Sequence, residues 1–345
     1  MRMNCGCFIV PGNVLDRLAK DESLPEATRK AFADTSAGEV IWRRLRDAHG
    51  VATKATLLSR GVASSLTPNP AVTVYHCNHS ISLPGMPVLN PGTSADVTIK
   101  RAFDTTTKVV QFYQAAFGRN SVDNTGMTLI SSVHYDVKYN NAFWDGAQMT
   151  YGDGDGNIFI DFTASNDVVA HELTHGVTQF TAGLNYTNEA GGLNESASDV
   201  FGTMFRQWVL QQTVATADWL IGADIMGPGA KARGFTCLRD LATPGADHCL
   251  SPQPSHYSSY VPGSDPHESS GIPNHAFYLA ASALGGKTWE KLGPVWYMAL
   301  TGGRPNPGMR FRTFANRTRR AAKKLYPTDT AVYSAVDQGW YGVGL

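Results

Sequence analysis

The chain has 345 residues, is 42% hydrophobic and 17% charged, and carries 29 basic against 29 acidic side chains, so its formal net charge is zero. That apolar content excludes a disordered chain, and 34 glycines without a triplet period exclude a collagen-like one. The balanced charge argues against nucleic acid as the partner, and the length suggests about two domains of ~100–200 residues.

At the N-terminus, Phe8-Ile9-Val10 is the only apolar run before Pro11, far short of the ~7–15 residues of a secretory signal. No stretch reaches the ~18 apolar residues of a membrane span. The expectation is a protein with no membrane partner, reaching the outside by a non-classical route or remaining in the cytoplasm. Five cysteines, an odd number, give no disulfide framework. Cys5 and Cys7 are too close for an easy bridge; Cys237 and Cys249 could pair across a loop or stay as buried thiols.

Residues 1–66 hold two short helical patterns, Val14-Leu15 with Leu18 and Ala27 to Phe32. A charged stretch, Arg43 to Asp47, and a small-residue segment at 59–71, read as a linker, follow. With no core of its own, this region is an appendage that needs a partner surface. From about 72 the chain becomes globular. Ala102, Phe103, Val109, Val110, Tyr113 and Phe117 recur at helical spacing, which predicts an amphipathic helix over 96–118. Met127–Val133 and Asn157–Phe162 read as strands, separated by the turn pairs of YGDGDGN at 151–157. Beyond 166 the periodicity is helical, at 166–180, 193–211, 273–285, 288–300, 308–325 and 328–338. The fold class is α+β: a mixed N-terminal half, a helical C-terminal half and a cleft between them. Eight basic residues between Arg304 and Lys324 have no acid among them and read as a solvated helix face.

The chemistry lies at 171–199. His171-Glu172-Leu173-Thr174-His175 puts two imidazoles at i and i+4, on one helical face, where both reach one ion. Glu172 is offset, so it can reach a metal-bound water without ligating. Glu195 follows in GLNESASD, and a second helix returning past the first would present it as a third ligand. Two histidines and a glutamate leave one position of a zinc tetrahedron for water, the catalytic pattern. Asp199, four residues after Glu195, can orient His171 through its free N–H. No serine-nucleophile elbow is present, and Cys237 has no catalytic signature.

At this point the chain resembles the thermolysin-like zinc metallopeptidases, and within them the protealysin-type subgroup. The stretches that carry the resemblance are YNNAFWDG at 139–146, DVVAHELTHGVT at 167–178, GLNESASD at 192–199 and SGIPNHAFYLAA at 270–281. It covers about residues 72–345. It implies a two-domain fold, with residues 67–165 as a mixed α/β domain and 166–345 as a mainly helical one, the active site between. Residues 1–66 would be a propeptide and linker, with cleavage within 47–70. The propeptide would act as an intramolecular inhibitor of a monomeric neutral endopeptidase acting on protein or peptide substrates.

The resemblance also implies residue roles. His171, His175 and Glu195 would hold Zn2+, and Glu172 would be the general base. Tyr186 and His267 would stabilise the oxyanion. Asn141 and the backbone of Ala142 would hold the peptide, and Arg239 the carbonyl beside the scissile bond. Phe159, Phe162, Val168, Ile221 and Leu238 would line an apolar pocket, which predicts cleavage on the amino side of Leu, Ile, Val or Phe. Where the family has an acid to orient the catalytic histidine, five places before it, this chain has Pro262; Asp265 is the substitute at hand.

Two further expectations concern metals. The positions matching thermolysin's calcium pair read Asp167, Arg206, Asp218, Leu220 and Ala223. Two carboxylates cannot supply ~6–8 oxygen ligands, and Arg206 places a permanent cation there, able to pair with Asp167 or Asp218. The calcium pair is therefore expected to be absent. In the precursor, a Cys5 or Cys7 thiolate could take zinc's open position as a latch, or the propeptide could block sterically. A catalytically dead binding module and a structural zinc protein are the rival readings. Glu172 argues against the first, and the missing fourth protein ligand against the second.

Overall fold

The structure, a computed structural model, describes residues 7–49 and 70–345. Cys5, most of the linker segment and most of the expected cleavage region lie outside the described residues. The chain enters as a two-residue strand, β1 (Cys7–Phe8), then turns at Pro11 into α1 (Gly12–Ala19). Val14, Leu15 and Leu18 form the buried face of α1. Next comes α2 (Glu26–His49), so the charged run from Arg43 to Asp47 continues a helix rather than ending one. Arginine, leucine and lysine are good helix formers, and a charge run does not break a helix. Ile9, Val10, Val14, Leu15, Leu18, Leu24 and Phe32 join the same apolar cluster as the rest of the protein. The appendage thus borrows its core from the body it lies on.

The N-terminal part of that body is built on β2 (Val72–His76), β3 (Met86–Pro87), α3 (Val97–Phe117), β4 (Leu129–Val133), β5 (Ala142–Trp144) and β6 (Met149–Tyr151). They form one six-stranded sheet in the order β1-β5-β6-β4-β2-β3. β2, β4 and β6 are parallel neighbours; β3, β5 and β1 are antiparallel to theirs. α3 lies where the periodicity predicts. Asp96 caps it by accepting the N–H groups of Thr98 and Ile99, and Gly118 ends it at φ 66°. The strand expected at 157–162 does not form. Phe159 makes one isolated bridge to Met226, and Phe162–Ala164 is a turn of 3-10 helix. Ile158 and Phe159 are buried and Ile160 half-buried for another reason: the backbone here is fixed by the 225–227 segment, with Ile160 N–H donating to Ile225 O at 2.9 Å and Gly227 N–H to Ile158 O at 2.7 Å.

From α4 (Asn166–Gln179) onward the protein is mainly helical, with α5 (Asn188–Leu210), a small pair β7 (Leu220–Ile221) and β8 (Arg239–Asp240), then α6 (Gly271–Leu284), α7 (Leu292–Thr301), α8 (Phe311–Leu325) and α9 (Thr330–Gly342). α5 starts five residues before its predicted first residue. α4 is buried along Asp167–Thr178, packed on α5 on one side and α3 and β5 on the others. Gly202 makes the α4–α5 approach close enough: a Cβ there would stand 2.8 Å from Asp167 O and 3.5 Å from His171 Cβ. On α8, Phe311, Phe314, Ala315, Thr318, Ala321 and Ala322 face inward.

Candidate active site

α4 and α5 bring the predicted ligand set together. His171 Nε2 and His175 Nε2 stand 3.1 Å apart. Glu195 reaches across from α5, its carboxylate 3.3 Å from His171 Nε2 and 3.5 Å from His175 Nε2. All three are buried, and they form one of the described residue groups able to hold a metal ion. Glu195 Oε2 and Glu172 Oε1 are buried with no hydrogen-bond partner. An orphaned buried carboxylate oxygen is costly, and a cation at the two imidazoles would satisfy the one on Glu195. The residues therefore fit zinc: three donors of the right chemistry and one open side.

The second layer holds those donors in place. His171 Nδ1 lies 2.9 Å from Asp199 Oδ1, as the i+4 spacing from Glu195 predicts. Asp199 also accepts Arg239 Nε at 2.9 Å, Arg239 Nη2 at 2.7 Å and Asn274 Nδ2 at 2.9 Å. His175 Nδ1 lies 2.9 Å from Asn194 Oδ1. Neither asparagine was singled out from sequence, although each stands inside a motif stretch, GLNE and SGIPN. Glu172 Oε2 accepts the backbone N–H of Trp144 at 3.0 Å, a donor that side-chain patterns cannot reveal.

Burial and charge set the protonation of the metal-free cluster. Burial pulls His175 down to about 4, leaving it neutral, the form that ligates. Burial also lowers His171, but hydrogen bonds to Asp199 and Glu195 outweigh it and raise it to about 9. Burial pushes Glu172 up to about 8. Burial opposes ionisation of Glu195 too, yet the charges of His267, His175 and His171 hold it well below the usual range.

Tyr186 donates to Glu195 Oε1, and its hydroxyl is 3.3 Å from His267 Nε2. His267 is oriented by Asp265, whose Oδ1 lies 2.7 Å from its Nδ1 and also accepts its backbone N–H at 2.9 Å. A residue two places before the histidine thus supplies the acid that Pro262 cannot.

β1 and the residues after it lie along this array. Cys7 pairs with Trp144 and Phe8 with Phe143, antiparallel, at the edge of β5. Phe8 O is 2.6 Å from His267 Nε2. Ile9 N–H donates to Ala142 O at 3.2 Å, and Ile9 O accepts Arg239 Nη1 at 2.9 Å. Val10 N–H donates to Asn141 Oδ1 at 2.9 Å while Asn141 Nδ2 donates to Val10 O at 3.0 Å. Asn141 Nδ2 also donates to Glu39 Oε1 of α2 at 2.5 Å; Glu39 is buried and was not anticipated from sequence. Phe159, Phe162, Val168, Ile221 and Leu238 are all fully buried in the apolar cluster that contains Ile9. Cys7 is disulfide-bonded, which removes its thiolate as a latch. Cys237 and Cys249 are free thiols, their sulfurs 3.8 Å apart.

At the start of α4 the outcome differs from expectation in one respect. Arg206 pairs with Asp224, which sequence matching had not included, and more distantly with Asp218 at 3.4 Å. Asp167 is instead held by the N–H groups of Val168 at 2.9 Å and Gly222 at 2.8 Å and by the Ser165 hydroxyl.

Among the described residues, no helix is long and apolar enough to cross a membrane. Residues 93–179 match the family described as thermolysin metallopeptidase, catalytic domain, and residues 182–345 match its alpha-helical domain. An extracellular metalloprotease of Pectobacterium carotovorum subsp. carotovorum is 43% identical over 79% of this chain and 80% of its own length. Protease PrtS of a Photorhabdus species is 39% identical over 79% and 76%. The solved precursor of protealysin, a metalloproteinase from Serratia proteamaculans, superposes with a TM-score of 0.83 at 39% identity, over 98% of this chain and 99% of that one.

Proposed function

The chain belongs to the thermolysin family of metallopeptidases, hydrolases acting on peptide bonds, and from that premise we propose that it is a zinc-dependent neutral endopeptidase made as a precursor that its own N-terminal segment inhibits. The observation that carries this reading is the seating of Phe8-Ile9-Val10. Three consecutive residues use the carbonyl and side-chain groups expected to hold substrate, with Phe8 O at His267, Ile9 at Ala142 and Arg239, and Val10 at Asn141. The Phe8–Ile9 bond then stands where a scissile bond would, and Ile9 enters the apolar wall of Phe159, Phe162, Val168, Ile221 and Leu238. This supports cleavage on the amino side of hydrophobic residues. A steric block is the proposed one; Cys7, disulfide-bonded, offers no thiolate, and Cys5 lies outside the described residues.

His171, His175 and Glu195 would hold the zinc, with Asp199 fixing the His171 ring. When bound, zinc supplies a Lewis acid for the carbonyl and lowers the pKa of its water toward ~7. Glu172 is held at Oε2 by Trp144 N–H, leaving Oε1 to take a proton from the attacking water and hand it to the leaving amine. His267 Nε2 and the Tyr186 hydroxyl would face the oxygen that gains charge, where fixed donors in a dry site act most strongly. Asp265 holds His267 by Nδ1; burial disfavours the charged ring, but the carboxylates of Glu195 and Asp265 outweigh it and raise the His267 pKa, which favours the doubly protonated ring whose Nε2 can donate.

Arg206, Asp218 and Asp224 support the absence of the thermolysin calcium pair, because a guanidinium stands where cations would bind. The extracellular relative supports action outside the cell. A monomer acting on protein or peptide substrates is the proposed working form, with residues 1–66, 67–165 and 166–345 as propeptide with linker, N-terminal and C-terminal units. Casein digestion by matured wild type and Glu172→Ala, with and without a zinc chelator, tests the reading. Activity should need both the metal and Glu172. Digestion surviving in Glu172→Ala would remove the mechanism, and a peptide library whose products begin with charged residues would remove the pocket assignment.

A further inference from the structure

A second cluster of histidines and carboxylates lies where β2 and β4 end. His134 follows β4, His79 lies in the loop after β2, and Asp153 stands in the 151–157 turn. Asp153 Oδ1 and Oδ2 lie 2.9 and 3.0 Å from His134 Nδ1, and Oδ2 lies 3.5 Å from His79 Nδ1. The three residues are one of the described groups whose donor atoms come close enough to hold a metal. We propose that His79 Nδ1, His134 Nδ1 and the Asp153 carboxylate form a second metal site, taking a divalent transition-metal ion of the zinc type.

The geometry carries this. Metal–ligand bonds of ~2.0–2.2 Å at tetrahedral angles put ligand atoms about 3.3–3.5 Å apart, close to the separations present. Two imidazoles and a carboxylate suit zinc and its neighbours better than calcium or magnesium. His134 Nε2 lies 3.1 Å from Asp96 Oδ2. Asp96 Oδ1 is already committed to capping α3, so the Asp96 carboxylate is fixed. A carboxylate on the far nitrogen of a ligating histidine sets its tautomer and points the lone pair of Nδ1 at the ion. Asp153 Oδ1 is buried and faces His134 Nδ1 at 2.9 Å, the nitrogen whose proton an ion would replace. Both His79 and His134 have left-handed backbones, at φ 56° and 54°, and His79 N–H donates to His134 O at 2.9 Å, which locks the two residues together.

His134 sits between two carboxylates; hydrogen bonding to Asp153 raises its pKa despite burial, which favours the ring with a proton on each nitrogen. Binding replaces the Nδ1 proton with the metal and releases it to water. His76 stacks on His134 with ring centres 4.5 Å apart but is not a ligand. Its Nδ1 accepts the Asn78 N–H at 2.8 Å, so in the neutral ring Nε2 keeps its proton. Filled, the site would tie the loop after β2 to the turn whose Asp155 N–H donates to Asn140 Oδ1 at 2.9 Å, beside Asn141.

The test uses the full-length chain, stripped with a chelator, reloaded with Zn2+ and freed of excess by gel filtration. The readout is the difference in zinc per chain between wild type and variants, which does not depend on what His171, His175 and Glu195 hold. His79→Ala and Asp153→Asn should each contain one ion fewer than wild type, and His76→Ala the same number. The His79 side chain is 53% exposed, so His79→Ala does not threaten folding. Equal zinc in wild type and His79→Ala would overturn the proposal, as would a loss in His76→Ala with none in His79→Ala.

Discussion

The first turn and the middle of α4 each hold or face buried acids, and they resolve the problem in opposite ways. At its start, Asp167 is fully buried, and burial raises its pKa, but backbone N–H groups and a hydroxyl satisfy its oxygens and the charge of Arg206 offsets part of the rise. One to two turns on, Glu172 keeps an oxygen with no partner, and Glu195, facing it from α5, has one met only by the imidazoles of His171 and His267 at 3.3 and 3.4 Å. The contrast teaches how to read a buried carboxylate. Where the chain supplies donors and a fixed cation, the cluster is finished as protein; where it leaves carboxylate oxygens short of partners around two histidines, it is built for an ion.

The largest effect that would sharpen this contrast is on Glu172. Glu172→Gln keeps the shape and the Trp144 contact but removes the base, so peptide hydrolysis by the matured enzyme should fall by ~10²–10⁴-fold. Zinc content should be unchanged; a parallel loss of zinc would make Glu172 a ligand instead. Next is Asp199, an acid beside the site that the protein does satisfy. Asp199→Ala strands the buried Arg239 guanidinium, which should cost about 3–5 kcal/mol in urea unfolding, and zinc affinity should fall ~10–100-fold. A variant with unchanged affinity would mean that His171 needs no partner.

These residues also show what could be read in sequence. His171, His175, Glu195 and Asp199 were legible because an i,i+4 spacing on a helix fixes a face whatever the tertiary context. Asp265 was only a candidate, since which acid reaches His267 depends on a loop path. The run at 157–162 was read as a strand because short apolar runs look alike; its bonds to the 225–227 segment depend on contacts about 65 residues away. β1 is two residues long, too short for any period to register, yet it carries the most informative contacts in the molecule. Asp224 was missed because motif matching compares positions, while Arg206 pairs with whichever acid lies within its reach.

Smaller effects separate the two regions further. Asn274→Ala removes one donor to the Asp199 carboxylate, and a hydrogen bond to a charged group makes the expected loss about 1.5–3 kcal/mol. The Arg206 side chain is 12% exposed, but its partners Asp218 and Asp224 are 37% and 45% exposed. Solvent screens the pair, so Arg206→Ala should cost about 1–2 kcal/mol, between an exposed and a buried pair. Excess calcium should not raise the melting temperature of wild type. A calcium-dependent rise of many degrees would show that this end of α4 holds an ion after all.

The central claim is that the unmet acceptors on α4 and α5 mark an ion and the satisfied ones do not. Anomalous diffraction from crystals of the full chain, recorded on both sides of the zinc absorption edge, measures that directly at this helix. The account predicts a zinc peak among His171 Nε2, His175 Nε2 and the Glu195 carboxylate, and none among Asp167, Asp218 and Asp224. A blank map at the histidines, or an ion beside Arg206, would contradict it.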